Sequence, residues 1–323
     1  MGKLTQRLCT TVREVSRRIQ RREMNMKIIS FWGKGGVGKT TCAASVAARL
    51  ASKGYSVLLV SSDYVPALSE VLATRLGPTL KNVWRKLWAV ELDEEAIIKL
   101  WKERFGGEVY RVISSFLPIG EEIIDYIAGA PGIADQYALY YVYELWRRGG
   151  YDYIVWDTMA AGGGLRMLRI ERELYTHLGD AARMYLKLKG FLERLRRGEG
   201  DPLSLIESWR ELAERVLSFL ALEAHTAYIV TRPAYLDYAI TKRIYSELSS
   251  FNMNVRGIIV NMTPLPDHYA YPEDAVDEAK KWIEETRRTF EPDVRVMVVP
   301  FVPRGPRGIG ELLVLSKHLH EII

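Results

Sequence analysis

Cysteine is nearly absent from this chain of 323 residues: two occur, Cys9 and Cys42, at unrelated positions. That excludes a disulfide framework, and it excludes a four-cysteine zinc site within one chain. Long apolar runs are missing too. None approaches the roughly 20 residues of a membrane-spanning helix, and the N-terminus lacks the apolar stretch of a secretory signal. A cytoplasmic protein is therefore expected. Amides are scarce, limited to Asn25, Asn82, Asn252, Asn254 and Asn261 with Gln6, Gln20 and Gln136. Set beside abundant charge, that scarcity is associated with growth at high temperature.

The net charge of +5 is concentrated at one end. In residues 1–26, Lys3, Arg7, Arg13, Arg17, Arg18, Arg21 and Arg22 stand against Glu14 and Glu23, seven minus two, so the remaining body is neutral. Three readings of this basic arm stay open. It could grip DNA or an anionic surface in a salt-sensitive way. It could lie on a membrane as an amphipathic helix, because Leu4, Leu8, Val12, Val15 and Ile19 recur at helical spacing. Or it is an extension without a role, if the chain properly starts at Met24 or Met26. Contact with nucleic acid or an anionic membrane is expected through this arm only.

The chain beyond the arm is long enough to bury one large core. Strand-like apolar runs fall at 26–32, 56–61, 88–92, 152–156, 227–231, 256–261 and 294–299. Helical patterns fall between them at about 39–53, 134–148, 235–249, 273–290 and 308–321. This alternation reads as a parallel sheet covered by helices, and the unbroken apolar character of the runs suggests strands buried on both faces. Two stretches exceed a minimal alternating fold and are read as helical inserts, at about 93–130 and 166–223. Within the second, a charged turn at 197–202 separates a helix at about 180–196 from one carrying Leu205, Trp209, Leu212, Val216 and Phe219 at helical spacing. That stripe is expected to pack on neighbouring helices rather than to form a groove for a client. The organisation expected is an arm, 1–25, and one domain, 26–323.

The segment GKGGVGKTT fits G-x-x-x-x-G-K-[ST] and sits directly after a buried strand and at the start of a helix. In it Gly33, Gly35, Gly36 and Gly38, with Val37 and Thr41, let the backbone wrap closely so that successive N–H groups face an anion. Lys39 is placed to neutralise β- and γ-phosphates, and Thr40 to put its hydroxyl on a Mg²⁺ ion bridging them. ATP and Mg²⁺ are the expected cofactors. The fold class expected is α/β, a mostly parallel sheet of the P-loop nucleotide-hydrolase kind flanked by helices, with a helical insert subdomain.

Lys34 comes directly after the first glycine of the loop, and KGGVGKT resembles the deviant phosphate loop of a class of dimeric ATPases in which this extra lysine reaches the partner subunit's nucleotide. The segment SSDYVPALSEVL at 61–72 resembles the first switch of the arsenical pump-driving and tail-anchored-protein targeting ATPase family, through Asp63, Leu68, Ser69 and Glu70. PGIADQYALYYVYELWRRGGYDYIVWDTMAAGGGLRMLR at 131–169 resembles that family's second switch, through Asp157, Thr158, Gly162, Leu165 and Arg166.

The resemblance implies a Mg-dependent ATP hydrolase acting as a homodimer. It implies that Asp63 orients the attacking water, that Thr40, Asp63 and Asp157 serve the metal, and that Lys34 of the opposite subunit offsets charge on the γ-phosphate. It also implies that Asn261 reads the adenine edge and that the loop from Pro300 to Gly308 closes over the base. The chain departs from the family at Tyr64 and Pro66, and at Ala160, Ala161, Gly163 and Gly164, where small residues make the second switch more flexible. Ala234 stands where a glutamate is usual. With no C-x-x-C pair and no cysteine triad, intersubunit zinc and arsenite are not expected.

Two functions remain from different classes: a targeting or chaperone ATPase for apolar membrane-protein clients, and a partitioning or positioning ATPase using the arm. A regulatory ATPase with another protein partner is a third.

Overall fold

Strands that are apolar on both faces need cover on both faces, and that requirement organises the chain. A computed structural model describes residues 26–63, 65–114, 119–195, 202–265 and 271–322, with backbone alone at 181, 182, 185–195 and 202. The strands are β1 (Lys27–Trp32), β2 (Val57–Ser61), β3 (Lys81–Trp84), β4 (Leu87–Glu91), β5 (Tyr153–Asp157), β6 (His225–Thr231), β7 (Asn254–Thr263) and β8 (Arg295–Pro300). They form one sheet in the order β3-β4-β2-β5-β1-β6-β7-β8. All pairings are parallel except that of β3 with β4.

Side chains alternate across the strands. Ile29 and Phe31 of β1 join one core, together with Leu59, Val155 and Val230. Ile28 and Trp32 join the other, with Leu58, Ile154, Trp156 and Ile229. The first face is covered by α1 (Lys39–Ser52), whose buried Cys42, Ala43, Ala44, Ala47 and Ala48 let it lie close to the strands.

Further along the chain come the single turn α2 (Leu68–Val71), α3 (Glu94–Trp101) and α4 (Gly107–Ser114) joined by a π turn at Lys102–Gly106, α5 (Ile123–Ala128) and α6 (Ile133–Arg148). After them lie α7 (Ala161–Leu195), α8 (Pro202–Leu220), α9 (Tyr235–Ser250), α10 (Glu273–Phe290), α11 (Gly308–Leu315) and a 3₁₀ segment, Ser316–Ile322. α11 and the 3₁₀ segment share the face of α1, through Leu312, Leu315 and Leu319. The second face is covered by α6, α9, α10 and the α7–α8 pair.

The expected architecture is the observed one, a mostly parallel sheet with flanking helices. Three elements differ. The edge strand β3 has no counterpart among the expected strands. The helix expected to begin near 180 begins at Ala161. The last helix ends at Leu315, where the chain tightens into the 3₁₀ segment with a kink at Leu319. The stripe of α8 packs inward as expected, with Val216 and Phe219 buried. The basic arm, Tyr64 and most of the charged turn at 197–202 lie outside the described residues. Among the described residues no helix is long and apolar enough to cross a membrane.

Candidate active site

Parallel strands deliver their C-terminal ends to one edge of the sheet, which is where open α/β folds bind ligands. β1 ends at Trp32 and runs into the loop beginning at Gly33, while β2 ends at Ser61 and β5 ends at Asp157. Register sets the neighbours: Asp157 lies beside Phe31 on one side and beside Ser61 on the other.

Two glycines in the loop are dictated by the backbone. Gly33 has φ +154°, and a Cβ there would lie 2.3 Å from the Val230 carbonyl oxygen. Gly38 has φ +92°, and its Cβ would lie 2.3 Å from Asn261 Nδ2. α1 then starts at Lys39 with no side-chain cap and no acidic residue in its first turn. Its first N–H groups are thus left to an anion, with the helix dipole behind them.

Lys39 is buried, and its Nζ donates to the Lys34 carbonyl at 3.3 Å. Burial lowers its pKa, while the charges of Asp157 and Asp63 push it back up. Asp157 is fully buried, and its Oδ2 accepts from the Ser61 hydroxyl at 3.1 Å. Burial raises its carboxyl to about 6, against the Thr40 hydroxyl, Lys39 and Ser61, with Asp63 adding to the rise. Its Oδ1 has no hydrogen-bond partner. Asp63 is half-buried, and its Oδ1 accepts from the Val65 N–H at 3.2 Å. Lys39, Thr40, Asp63 and Asp157 are therefore brought together.

An orphaned buried carboxylate oxygen beside a threonine hydroxyl suits Mg²⁺, which takes one or two carboxylates and fills its remaining positions with phosphate oxygens and water. Among the described residues no group of three or more His, Cys, Asp or Glu side chains could hold a metal ion on its own. The Cys42 thiol lies under α1, where burial pushes it up to about 12.

Lys34 turns away from Lys39. Its Nζ lies 3.6 Å from Asp237 Oδ1, and Arg232 reaches Asp237 Oδ2 at 3.2 Å. Asp237 is buried in the first turn of α9 between these two cations. Asn261 is buried in β7 and donates its Nδ2 to the Val37 carbonyl at 2.9 Å, so it braces the loop. Pro300 closes β8 opposite Thr263, and the segment after it lines a cavity of about 490 Å³ with Phe301, Val302 and Val314.

The second switch is less free than its composition suggests. Ala161 donates its N–H to the Gly33 carbonyl at 2.8 Å, so α7 starts hydrogen-bonded to the loop. Gly164 packs against the ring of Trp32 so closely that a Cβ would sit 3.1 Å from it. Arg166 reaches back to the buried Asp135 at 2.7 Å.

Sequence reasoning missed three residues here: Asp237, Arg232 and Glu91. Buried Glu91 accepts from the Leu68 N–H at 2.6 Å and from the Ser69 N–H and hydroxyl, fixing α2 just beyond Asp63. A strand-ending glutamate ahead of a helical insert carries no local signal of that role. Arg307 ties the other end of α2 to the loop after β8, through Glu70 at 3.2 Å.

The family model described as "Anion-transporting ATPase" matches residues 26–321. The chain is 29% identical over 312 residues to a protein of Aquifex aeolicus named "Putative arsenical pump-driving ATPase 2", covering 91% of this chain and 99% of that one. It is 28% identical over 310 residues to "ATPase ASNA1 homolog" of Cryptosporidium parvum, covering 92% and 81%. It is 26% identical over 308 residues to "ATPase get3" of Schizosaccharomyces pombe, covering 92% of each.

Proposed function

This chain belongs to the anion-transporting ATPase family and is an ATPase, and we propose that it is a magnesium-dependent, nucleotide-switched homodimer of the cytoplasm that shields and delivers apolar segments of membrane proteins. The observation that carries the nucleotide half is the cluster at the strand ends. A buried ammonium stands at an uncapped helix N-terminus, beside a hydroxyl and two carboxylates, which is the donor set a bound phosphate needs. The targeting half follows from both switches, which resemble those of the tail-anchored-protein targeting family, and from relatives named "ATPase GET3".

In this reading the backbone from Gly33 to Thr41 cradles the phosphates, and Lys39 neutralises the β- and γ-oxygens. Thr40, Asp63 and Asp157 hold Mg²⁺, which when bound polarises the phosphoryl oxygens and draws off charge. Asp63 orients a water in line with the γ-phosphorus. Burial of Lys39 among fixed dipoles makes its charge count for more than it would in water. The chemistry then needs positioning and charge rather than a covalent intermediate. Asn261 and the segment from Pro300 enclose the base, with Asn261 exchanging its bond to Val37 for the adenine edge.

Lys34 is the moving part. Held by Asp237 in one subunit, it crosses to the partner's γ-phosphate when two subunits close on ATP. Tyr235 and Leu236, large and exposed beside Asp237, supply apolar surface for that face.

The experiment has two arms. Sizing with Mg²⁺ and a non-hydrolysable ATP analogue should give a dimer. Lys34→Ala should weaken that dimer while still binding nucleotide, and Asp237→Asn should strengthen it by up to about fivefold, the value of a partly exposed ion pair. A wild-type chain that stays monomeric under these conditions ends the switch reading. The hydrolysis-arrested Asp63→Asn variant, isolated from its own cells, should carry membrane-protein segments. Recovery of DNA instead, lost on deleting residues 1–25, would replace targeting with partitioning.

A further inference from the structure

Away from the nucleotide site, helices α3 to α8 and the π turn between α3 and α4 line a cavity of about 200 Å³. Trp101, Phe105, Tyr137, Tyr140 and Trp209 bring aromatic rings to its wall, and aliphatic side chains of α4 to α8 supply most of the rest. Trp101, Tyr137 and Tyr140 are buried, so the cavity reaches into the helical layer. Two of the aromatics spend their polar ends elsewhere. The Tyr140 hydroxyl accepts from Arg104 at 3.1 Å, and the Trp209 indole donates to Glu108 at 2.8 Å.

One carboxyl lines this chamber, that of Glu171 on α7. It is 2% exposed, and its Oε2 has no hydrogen-bond partner. A buried carboxyl oxygen left unpaired costs free energy and is rare in folded proteins. Here the unpaired oxygen belongs to a group that lines a cavity with five aromatic residues in its wall. A carboxylate in a wall that also carries aromatic rings is complementary to an ammonium group, which takes the charge–charge hydrogen bond at one point and gains cation–π attraction from any ring within about 6 Å.

We propose that this chamber is a binding site for a small organic cation, a primary amine carried on an apolar body of about one ring. Size sets the class. An apolar cavity of about 150 Å³ holds benzene, so this one takes a ring with a short amine arm. The proposal does not depend on the targeting reading. Burial raises Glu171 to about 8, with only Gln136 acting against the rise, so the empty chamber holds a protonated carboxyl at neutral pH. Seating an ammonium ion ionises it: the proton leaves Glu171 for solvent, and carboxylate and ammonium remain as a pair.

Calorimetry on the full chain tests this with 2-phenylethylamine and its neutral counterpart 2-phenylethanol. At pH 7, in two buffers of different ionisation heat, the amine should bind with release of close to one proton, and the alcohol should bind more weakly and release none. Glu171→Gln should weaken the amine about tenfold or more and leave the alcohol unchanged. Ala213→Leu, which fills the chamber from α8 and spares Glu171, should abolish both. Equal affinity for the two probes, undiminished amine binding in Glu171→Gln, retained binding in Ala213→Leu, or no amine binding at millimolar concentration each overturns the proposal.

Discussion

Asp157 and Glu171 are both buried carboxyls with one unpaired oxygen, and burial raises both, to about 6 and about 8. Their surroundings differ. Asp157 stands at a strand end where register supplies Ser61, and the loop supplies Lys39 and Thr40 to favour its ionised form. Glu171 has Gln136 alone against a largely apolar wall. The first is prepared to meet a highly charged ligand; the second is the one carboxyl in a largely apolar chamber. α7 joins them, because its first residue bonds the Gly33 carbonyl and Glu171 lies about 15 Å further along its axis.

The comparison breaks most visibly if the compensation at Asp157 is removed. Lys39→Ala takes away the buried ammonium that faces both Asp157 and Asp63, the charge that the proposed function sets against the γ-phosphate. Steady-state ATP hydrolysis should fall about 10³-fold, the scale on which preorganised charge contributes. A loss below tenfold would mean that Lys39 does not face the reacting phosphate.

At Glu171 the same operation should act in the opposite direction. Its carboxyl is raised from 4.5 to about 8, so between those values the folded chain binds more protons than the unfolded one. Stability then falls as pH rises through that window and levels off above it. Each unit is worth about 1.4 kcal/mol, which adds to a few kcal/mol across the window. Glu171→Gln removes the dependence. Denaturant titrations should show the variant close to wild type near pH 4.5 and clearly more stable near pH 8. A constant difference at all pH values would place the carboxyl in water.

The contrast between the two sites also explains what sequence could show. The phosphate loop is legible because its chemistry is local: glycines, lysine and threonine stand at fixed spacing between one strand and one helix. The central strands are legible because their apolar runs are unbroken. β3 is not, since its residues KNVW, two exposed and two half-buried, make an edge pairing with no apolar run. Asp237 meets Lys34 only through tertiary folding, and nothing in TRPAYLDYAITKR marks it. Glu171 shares a helical stripe with Met167, Leu174 and Leu178, and periodicity alone cannot say that the one charged member of a stripe faces inward. α7 begins earlier than expected because three glycines read as a break, whereas close packing on Trp32 and Met159 accounts for two of them.

Those glycines give the smallest effect and the finest test of the link between the sites. Gly162 lies in the first turn of α7 with open space where a Cβ would go, so Gly162→Ala should stabilise the chain by about 0.5 kcal/mol through helix propensity. At Gly164 a Cβ would sit 3.1 Å from the Trp32 ring and 3.3 Å from the Met159 carbonyl oxygen. The backbone carbonyl cannot yield as a flexible side chain would, so Gly164→Ala should cost about 1–2 kcal/mol. Opposite signs two residues apart, read from denaturant midpoints, would show that α7 is seated against β1 by contact. If both variants stabilise, the start of α7 is not held against Trp32, and the phosphate loop and the Glu171 chamber are mechanically independent.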